Sequence, residues 1–325
     1  IFDLTLGHAL ERFYDEWGER RAAILTACIP LCREMALRDK LTAYLLSVQE
    51  RKNARQAYYA GLSVAAAQKI MLILIRTYDG DGAAEDYIGQ NLVNSDFRKM
   101  AIEKALAAGR LEQVLTLCLE GEALNAKDKG QVSVWRHIRY DVYEKQNNIL
   151  ALKELAFEFT LNGEFPYYLR LKELYADGEG GDGGDGGEAL SPVSTGEWPA
   201  VLAGLLQALE SEWQSPVYIK ILIHEKNQPK LLACCRKNVP SIVQLYPHLI
   251  PERAGEVDEL FVEYIRYKAE RASGRGDYQD VGGIICHYGK ACGWNAADRI
   301  IRELLSLYRG RPAFVDELKK AKNTR

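Results

Sequence analysis

Four short stretches of this chain follow one plan, a turn carrying Gly or Asn and then a helix with an apolar face. They are Gly109-Arg110-Leu111, Asn147-Asn148-Ile149, Gly163-Glu164-Phe165 and Gly276-Asp277-Tyr278. In three of them apolar residues recur at one spacing: Leu111/Val114/Cys118, Ile149/Leu152/Ala156 and Tyr278/Val281/Ile285. The Phe165 copy keeps Tyr168 but carries Lys172 at the last position. Leu111 and Ile149 lie 38 residues apart, a spacing that suits a stacked two-helix repeat. The pattern predicts an all-α chain, an α-solenoid of antiparallel helical hairpins, and argues against an enzyme built around a pocket.

Helical periodicity runs through nearly every longer segment. Leu4, Ala9, Phe13 and Trp17 mark a first helix that Gly18 is expected to break. Val64 to Tyr78 is apolar almost all round, so an interior helix is expected there, followed by a turn at Asp79-Gly80-Asp81-Gly82. Phe97–Ala107 with Leu111–Leu119, and Val132–Glu144 with Ile149–Leu161, read as helical hairpins. Pro166 fits the first turn of a new helix, where its missing N–H costs nothing. Val217 to Ile223 is rich in β-branched residues, but Ser215-Pro216 ahead of it reads as a helix start with Ser215 as cap. Between Lys237 and Pro251 the sparse pattern predicts short, irregular helices.

The clearest punctuation is Gly178 to Glu188, eleven residues of Gly, Asp and Glu with nothing to bury. Its Gly-Gly-x-Gly-x-Asp spacing resembles calcium-binding β-roll repeats. Those need several copies, each with an apolar residue to stack, so the stretch reads as a plain insertion. It divides the chain into an N-terminal helical lobe at 1–176, a loop at 177–196 and a C-terminal helical lobe at 197–325.

Across 325 residues, 42 basic side chains face 45 acidic ones, a balance that creates no field for nucleic acid or an anionic membrane. Seven cysteines, an odd number scattered through helical patterns, do not form a disulfide framework. Buried free thiols suit a reducing compartment. No apolar run is long enough to cross a bilayer and no leader pattern opens the chain, so a cytoplasmic protein without a membrane partner is expected. Because the chain begins at Ile1 rather than Met, it reads as a fragment whose N-terminal part is missing.

No catalytic constellation stands out. Cys286-His287 with Cys292, and Cys28 with Cys32 four residues apart on one helix face, lack the paired ligands that structural zinc needs. There is no G-x-S-x-G elbow, H-E-x-x-H pair or P-loop. His8, His137, His224, His248 and His287 are dispersed, and His224-Glu225 reads as a helix-end pair. Neither catalytic residues, metal nor cofactor is expected. The 18 tyrosines say more. Tyr joins a rigid apolar body to a polar tip, useful both between helices and as an anchor for a partner. Trp135, Arg136, Arg139 and Tyr140 mix apolar and basic character on one helix. They read either as a packed Trp beside solvated arginines or as a groove for an acidic or aromatic peptide.

The stretch from Tyr264 to Ser273, with Arg275, Tyr278 and Val281, then Ile300-Ile301-Arg302-Glu303-Leu304 and Tyr308 to Leu318, resembles the C-terminal helical region of bacterial SWIM zinc-finger family proteins. Val132 to Tyr175, with Trp135-Arg136, Arg139-Tyr140 and Tyr167-Tyr168, is similar to the same region. That family's finger carries a C-x-C pair followed by C-x-H, and neither pattern occurs here. The resemblance implies a tetratricopeptide-like scaffold, with any finger upstream of Ile1. The expected function is a non-enzymatic helical-repeat scaffold for a protein or peptide, with Trp135, Arg136, Arg139, Tyr140, Tyr264, Tyr267 and Arg271 as candidate binding residues. The alternative is a scaffold supporting nucleic-acid binding by that upstream finger.

Overall fold

Apolar residues at helical spacing, cut by short turns, give the described part of the chain a single kind of element. The computed structural model describes residues 1–14, 17–50, 63–176, 198–212 and 215–323, and among them there are helices and turns but no strand. The glycine-rich stretch 177–196 lies outside the described residues. Packing divides the chain into two compact units, Ile1–Asn148 and Ile149–Arg325. The division falls after Asn148, so residues 149–176 pack with the second unit.

The first unit holds α1 (Phe2–Ala9), α2 (Gly18–Cys28), α3 (Met35–Gln49), α4 (Val64–Tyr78), α5 (Gly80–Gln90), α6 (Ser95–Ala107), α7 (Leu111–Leu124) and α8 (Lys129–Lys145). Leu25, Leu41, Leu45, Ile70, Met71 and Leu74 form one core across α2, α3 and α4. Ile102, Val114, Leu117, Cys118, Trp135 and Val142 form another across α6, α7 and α8. Burying each such aliphatic side chain stabilises the fold by roughly 1.5–3 kcal/mol. Side-chain caps fix several starts: Ser63 Oγ accepts from the Ala66 N–H at 3.1 Å, and Asp128 Oδ1 from the Gln131 N–H at 3.1 Å.

The second unit holds α9 (Ile149–Leu161), α10 (Phe165–Ala176), α11 (Trp198–Leu209), α12 (Pro216–His224), α13 (Gln228–Lys237), α14 (Ile242–Leu245), α15 (Ala254–Arg271), α16 (Arg275–Cys292), α17 (Trp294–Leu307) and α18 (Pro312–Asn323). Helix α9 packs on α10, α10 on α12, α15 on α16, and α16 on both α17 and α18. As the spacing predicted, α4 spans Val64–Tyr78, Pro166 sits in the first turn of α10, and Lys237–Pro251 breaks into short helical turns.

The repeated turn has a specific physical basis. Gly109, Asn147 and Gly163 each take a positive φ, at 68°, 52° and 98°. Each ends one helix with the same pair of hydrogen bonds. The Gly109 N–H donates to Leu106 O at 3.0 Å and the Arg110 N–H to Ala105 O at 2.9 Å. The Asn147/Asn148 and Gly163/Glu164 pairs repeat this at 3.1 and 2.9 Å and at 3.1 and 3.0 Å. This is the Schellman arrangement, which satisfies carbonyls at a helix end through a left-handed residue. The next helix starts two residues after that residue in every case.

The fourth expected copy is built differently. Gly276 lies inside α16, and the turn ahead of it is closed by Asp277 Oδ2, which accepts from the N–H groups of Ser273 at 2.9 Å and Gly274 at 3.1 Å. The fourth true copy is at Lys226, with φ 50°. Its N–H donates to Ile223 O at 3.1 Å, the Asn227 N–H donates to Leu222 O at 2.8 Å, and α13 begins at Gln228. Leu231 and Cys235, three and seven residues on, are fully or almost fully buried like Val114 and Cys118. Lys226 and Gln228 hide this copy because neither is the residue type that usually marks such a turn or an apolar face.

Other expectations need correcting. Gly18 begins α2 rather than breaking a longer helix, and Leu4, Phe13 and Trp17 are exposed while Phe2, Ala9 and Tyr14 are buried. The turn expected at Asp79–Gly82 is the start of α5. Ser215 occupies the cap position of α12, but its side chain makes no capping bond. Phe97–Ala107 and Leu111–Leu119 do pair, as α6 on α7, but α7 also packs on α8 and α9 on α10, and the unit boundary separates Val132–Glu144 from Ile149–Leu161. Cys28 ends α2 and a 3-10 turn separates it from Cys32, whose thiol donates to Cys28 O at 3.3 Å.

Candidate functional site

In the first unit, Trp135 is 0% exposed. Its indole N–H donates to Asn125 Oδ1 at 3.1 Å, and its ring lies so close to α7 that a Cβ on Gly121 would meet Nε1 at 2.9 Å. Arg98 is buried beside it and donates to Leu117 O at 2.7 Å and to Glu120 at 3.1 Å. Tyr140 is also buried. Trp135 and Tyr140 are therefore packing residues, and the groove reading of this helix fails for both. Arg136 and Arg139 converge on one carboxylate: Glu122 accepts from Arg136 Nε at 3.1 Å and from Arg139 Nη1 at 2.6 Å. Burial alone would lower the Arg139 pKa, but Glu122 and Tyr143 outweigh it and raise it. These arginines hold α8 to α7 rather than standing free in solvent.

Tyr264, Tyr267 and Arg271 lie in the second unit, three and four residues apart on one side of α15. Tyr264 is half-buried, and Tyr267 is 51% exposed. The Arg271 guanidinium lies 4.2 Å from the centre of the Tyr267 ring, an attraction that orders both side chains at the surface. Nearby, Arg266 grips Glu303 of α17 with two bonds, at 2.8 and 2.9 Å.

The densest chemistry lies elsewhere in the second unit, where sequence reasoning did not place a site. Glu225, 16% exposed at its side chain, follows the end of α12. It accepts from Lys172 Nζ at 2.6 Å and from the Tyr168 hydroxyl, and His224 Nδ1 lies 3.0 Å away. Burial alone would raise the Glu225 pKa. The bonds from Lys172, Tyr168 and His224 outweigh it and hold the carboxyl below its ordinary value. Burial, reinforced by Glu225, pushes the Tyr168 hydroxyl pKa up.

Aromatic rings run away from Glu225 in a continuous track. Phe165 stacks on Tyr168 with centroids 5.5 Å apart, Tyr168 lies 5.7 Å from Trp198, and Trp198 lies 6.0 Å from Tyr175. His224 meets Phe165 and Tyr168 edge-on at 6.3 and 5.6 Å. Three ammonium groups sit over the track: Lys220 at 5.8 Å from Phe165, Lys172 at 6.0 Å from Trp198 and Lys153 at 3.9 Å from Tyr175. Burial lowers the Lys153 pKa. The one available signal in the sequence was Lys172. It breaks the apolar pattern of its turn copy because its position faces Glu225 instead of a core.

All seven cysteines are free thiols. Burial, and secondarily Glu122, pushes the Cys118 thiol up to about 12. Among the described residues no group of three or more His, Cys, Asp or Glu is placed to hold a metal ion, and no helix is long and apolar enough to cross a membrane. No family model, curated protein or solved structure matches the chain.

Proposed function

We propose that this chain is a non-enzymatic helical-repeat scaffold of tetratricopeptide-like hairpins that presents helix surfaces to a protein or peptide. The recurrence of one left-handed turn at Gly109, Asn147, Gly163 and Lys226, each followed by a helix two residues on, supports the repeat reading. The observation that carries the binding role is Tyr267, a large aromatic side chain half in solvent and held there by Arg271. Tyr and Arg are the residue types most used as anchors at protein interfaces. A reducing, cytoplasmic setting fits seven unpaired thiols.

Photo-crosslinking tests this directly. With a benzophenone side chain at position 267, ultraviolet light should join the chain to one discrete protein partner in cells, and Arg271→Glu should remove that adduct. A chain that yields no protein adduct at position 267 would contradict the proposed anchor.

A further inference from the structure

The aromatic track of the second unit has an imbalance of charge. Lys153, Lys172 and Lys220 lie over its rings, and of these three Lys172 is the one bonded to a carboxylate among the described residues, that of Glu225. That carboxylate is already saturated by Tyr168, Lys172 and His224. Neither Lys153 nor Lys220 forms an ion pair among the described residues. Lys220 is exposed, Lys172 and His224 are each 37% exposed at their side chains, and Phe165, Trp198 and Lys153 are half-buried. Four helices, α9 to α12, contribute to this one surface, and Glu225 ties two of them together.

We propose that this surface docks an acidic peptide segment of a partner protein, whose carboxylates pair with Lys153 and Lys220 and whose apolar side chains lie on Phe165 and Trp198. The inference rests on the reading of the chain as a peptide-binding scaffold and names the chemistry of the ligand. Charge complementarity selects the acidic partner. An unpaired ammonium held over an aromatic ring gains a strong charge-assisted bond from an incoming carboxylate, whereas an incoming cation meets three like charges. Stacking on the rings supplies apolar contact without new ordering, because the rings are already fixed against one another.

The test is fluorescence anisotropy of the whole chain with a short labelled peptide of glutamates interspersed with phenylalanine, beside the same peptide with every Glu replaced by Gln. The acidic peptide should bind, the Gln peptide should not, and added salt should weaken the complex. Lys220→Glu, an exposed substitution, should reduce affinity by about tenfold, and Lys153→Gln should reduce it without altering the circular dichroism spectrum. Equal binding of the two peptides, or an unchanged affinity in folded Lys220→Glu protein, would overturn the proposal. So would tighter binding of a single-stranded oligonucleotide than of the peptide. Tighter peptide binding after deletion of residues 178–188, which carry the four acidic side chains Glu179, Asp182, Asp185 and Glu188, would make the chain's own segment the occupant and would also overturn it. If the peptide fails but the adduct at position 267 forms, only this surface is wrong; if both fail, the scaffold reading fails with it.

Discussion

Lys172 Nζ lies 2.6 Å from Glu225 Oε1, a bond that joins α10 to the turn between α12 and α13. The same carboxylate accepts from the Tyr168 hydroxyl, so two side chains one helical turn apart on α10 grip one residue of another hairpin. The turn so held contains Lys226 in the left-handed conformation, with Asn227 Oδ1 capping α13 by accepting from the Lys230 N–H at 3.3 Å. A lysine in a site that favours glycine is thus secured on both sides by its neighbours.

Glu225→Gln should destabilise the second unit by about 1–3 kcal/mol, because a charged acceptor of three groups becomes a neutral one. The pH dependence has a definite sign. The folded carboxyl titrates below its ordinary value, so its contribution is present above that ordinary value, roughly 4.3, and is lost as the pH falls through the folded value. Urea midpoints measured between about pH 6 and about pH 3 should fall less steeply for Glu225→Gln than for the natural chain.

Lys226→Gly should stabilise the chain. Relief of the left-handed conformation is worth roughly 1–2 kcal/mol, and the added freedom of the unfolded glycine takes back about 0.4–1 kcal/mol. Gly109→Ala should do the opposite, at φ 68°, and cost about 1 kcal/mol. Denaturant midpoints that moved the same way in both variants would refute the shared geometry of the turns.

Gly121→Ala should destabilise the first unit by about 1–3 kcal/mol. The added methyl group would lie 2.9 Å from both Trp135 Nε1 and Arg98 Cδ. Trp135 is pinned by its bond to Asn125, and Arg98 by its bonds to Leu92 O, Leu117 O and Glu120. Thermal unfolding followed by tryptophan fluorescence measures the loss.

Thiol labelling should separate the cysteines by burial. Cys286 and Cys292 are half-buried, whereas Cys28, Cys32, Cys118, Cys234 and Cys235 are buried. Burial, with Asp258 second, pushes the Cys292 thiol up to about 11, which slows its reaction because the thiolate is the nucleophile. Iodoacetamide should therefore modify Cys286 first and Cys118 only when the fold opens, as read by peptide mass mapping.

Much of the helical framework is legible in the residues themselves. The apolar run of α4 and the Gly and Asn turns at 109, 147 and 163 mark their elements by residue type alone, because left-handed backbone and apolar periodicity leave a local signature. Lys226 leaves none, since its conformation is imposed by the Glu225 contacts and by the hydrogen bonds that close the turn. The same limit applies to the sites. Trp135 and Tyr140 attract notice as aromatic residues beside arginines, yet burial is set by α7 and by the missing side chain of Gly121, which no pattern within α8 reveals. The track from Lys153 to Lys220 spans four helices, so its members are scattered in the sequence, with Lys172 the one residue that departs from an expected apolar position.

The most direct test of the scaffold reading is cross-linking mass spectrometry of the intact chain with the partner recovered at position 267. The account predicts a stoichiometric complex whose intermolecular links cluster at Lys153, Lys172 and Lys220 of the second unit and at Lys268, which follows Tyr267 on α15. Links confined to the lysines of the first unit, or no stoichiometric complex at all, would contradict it.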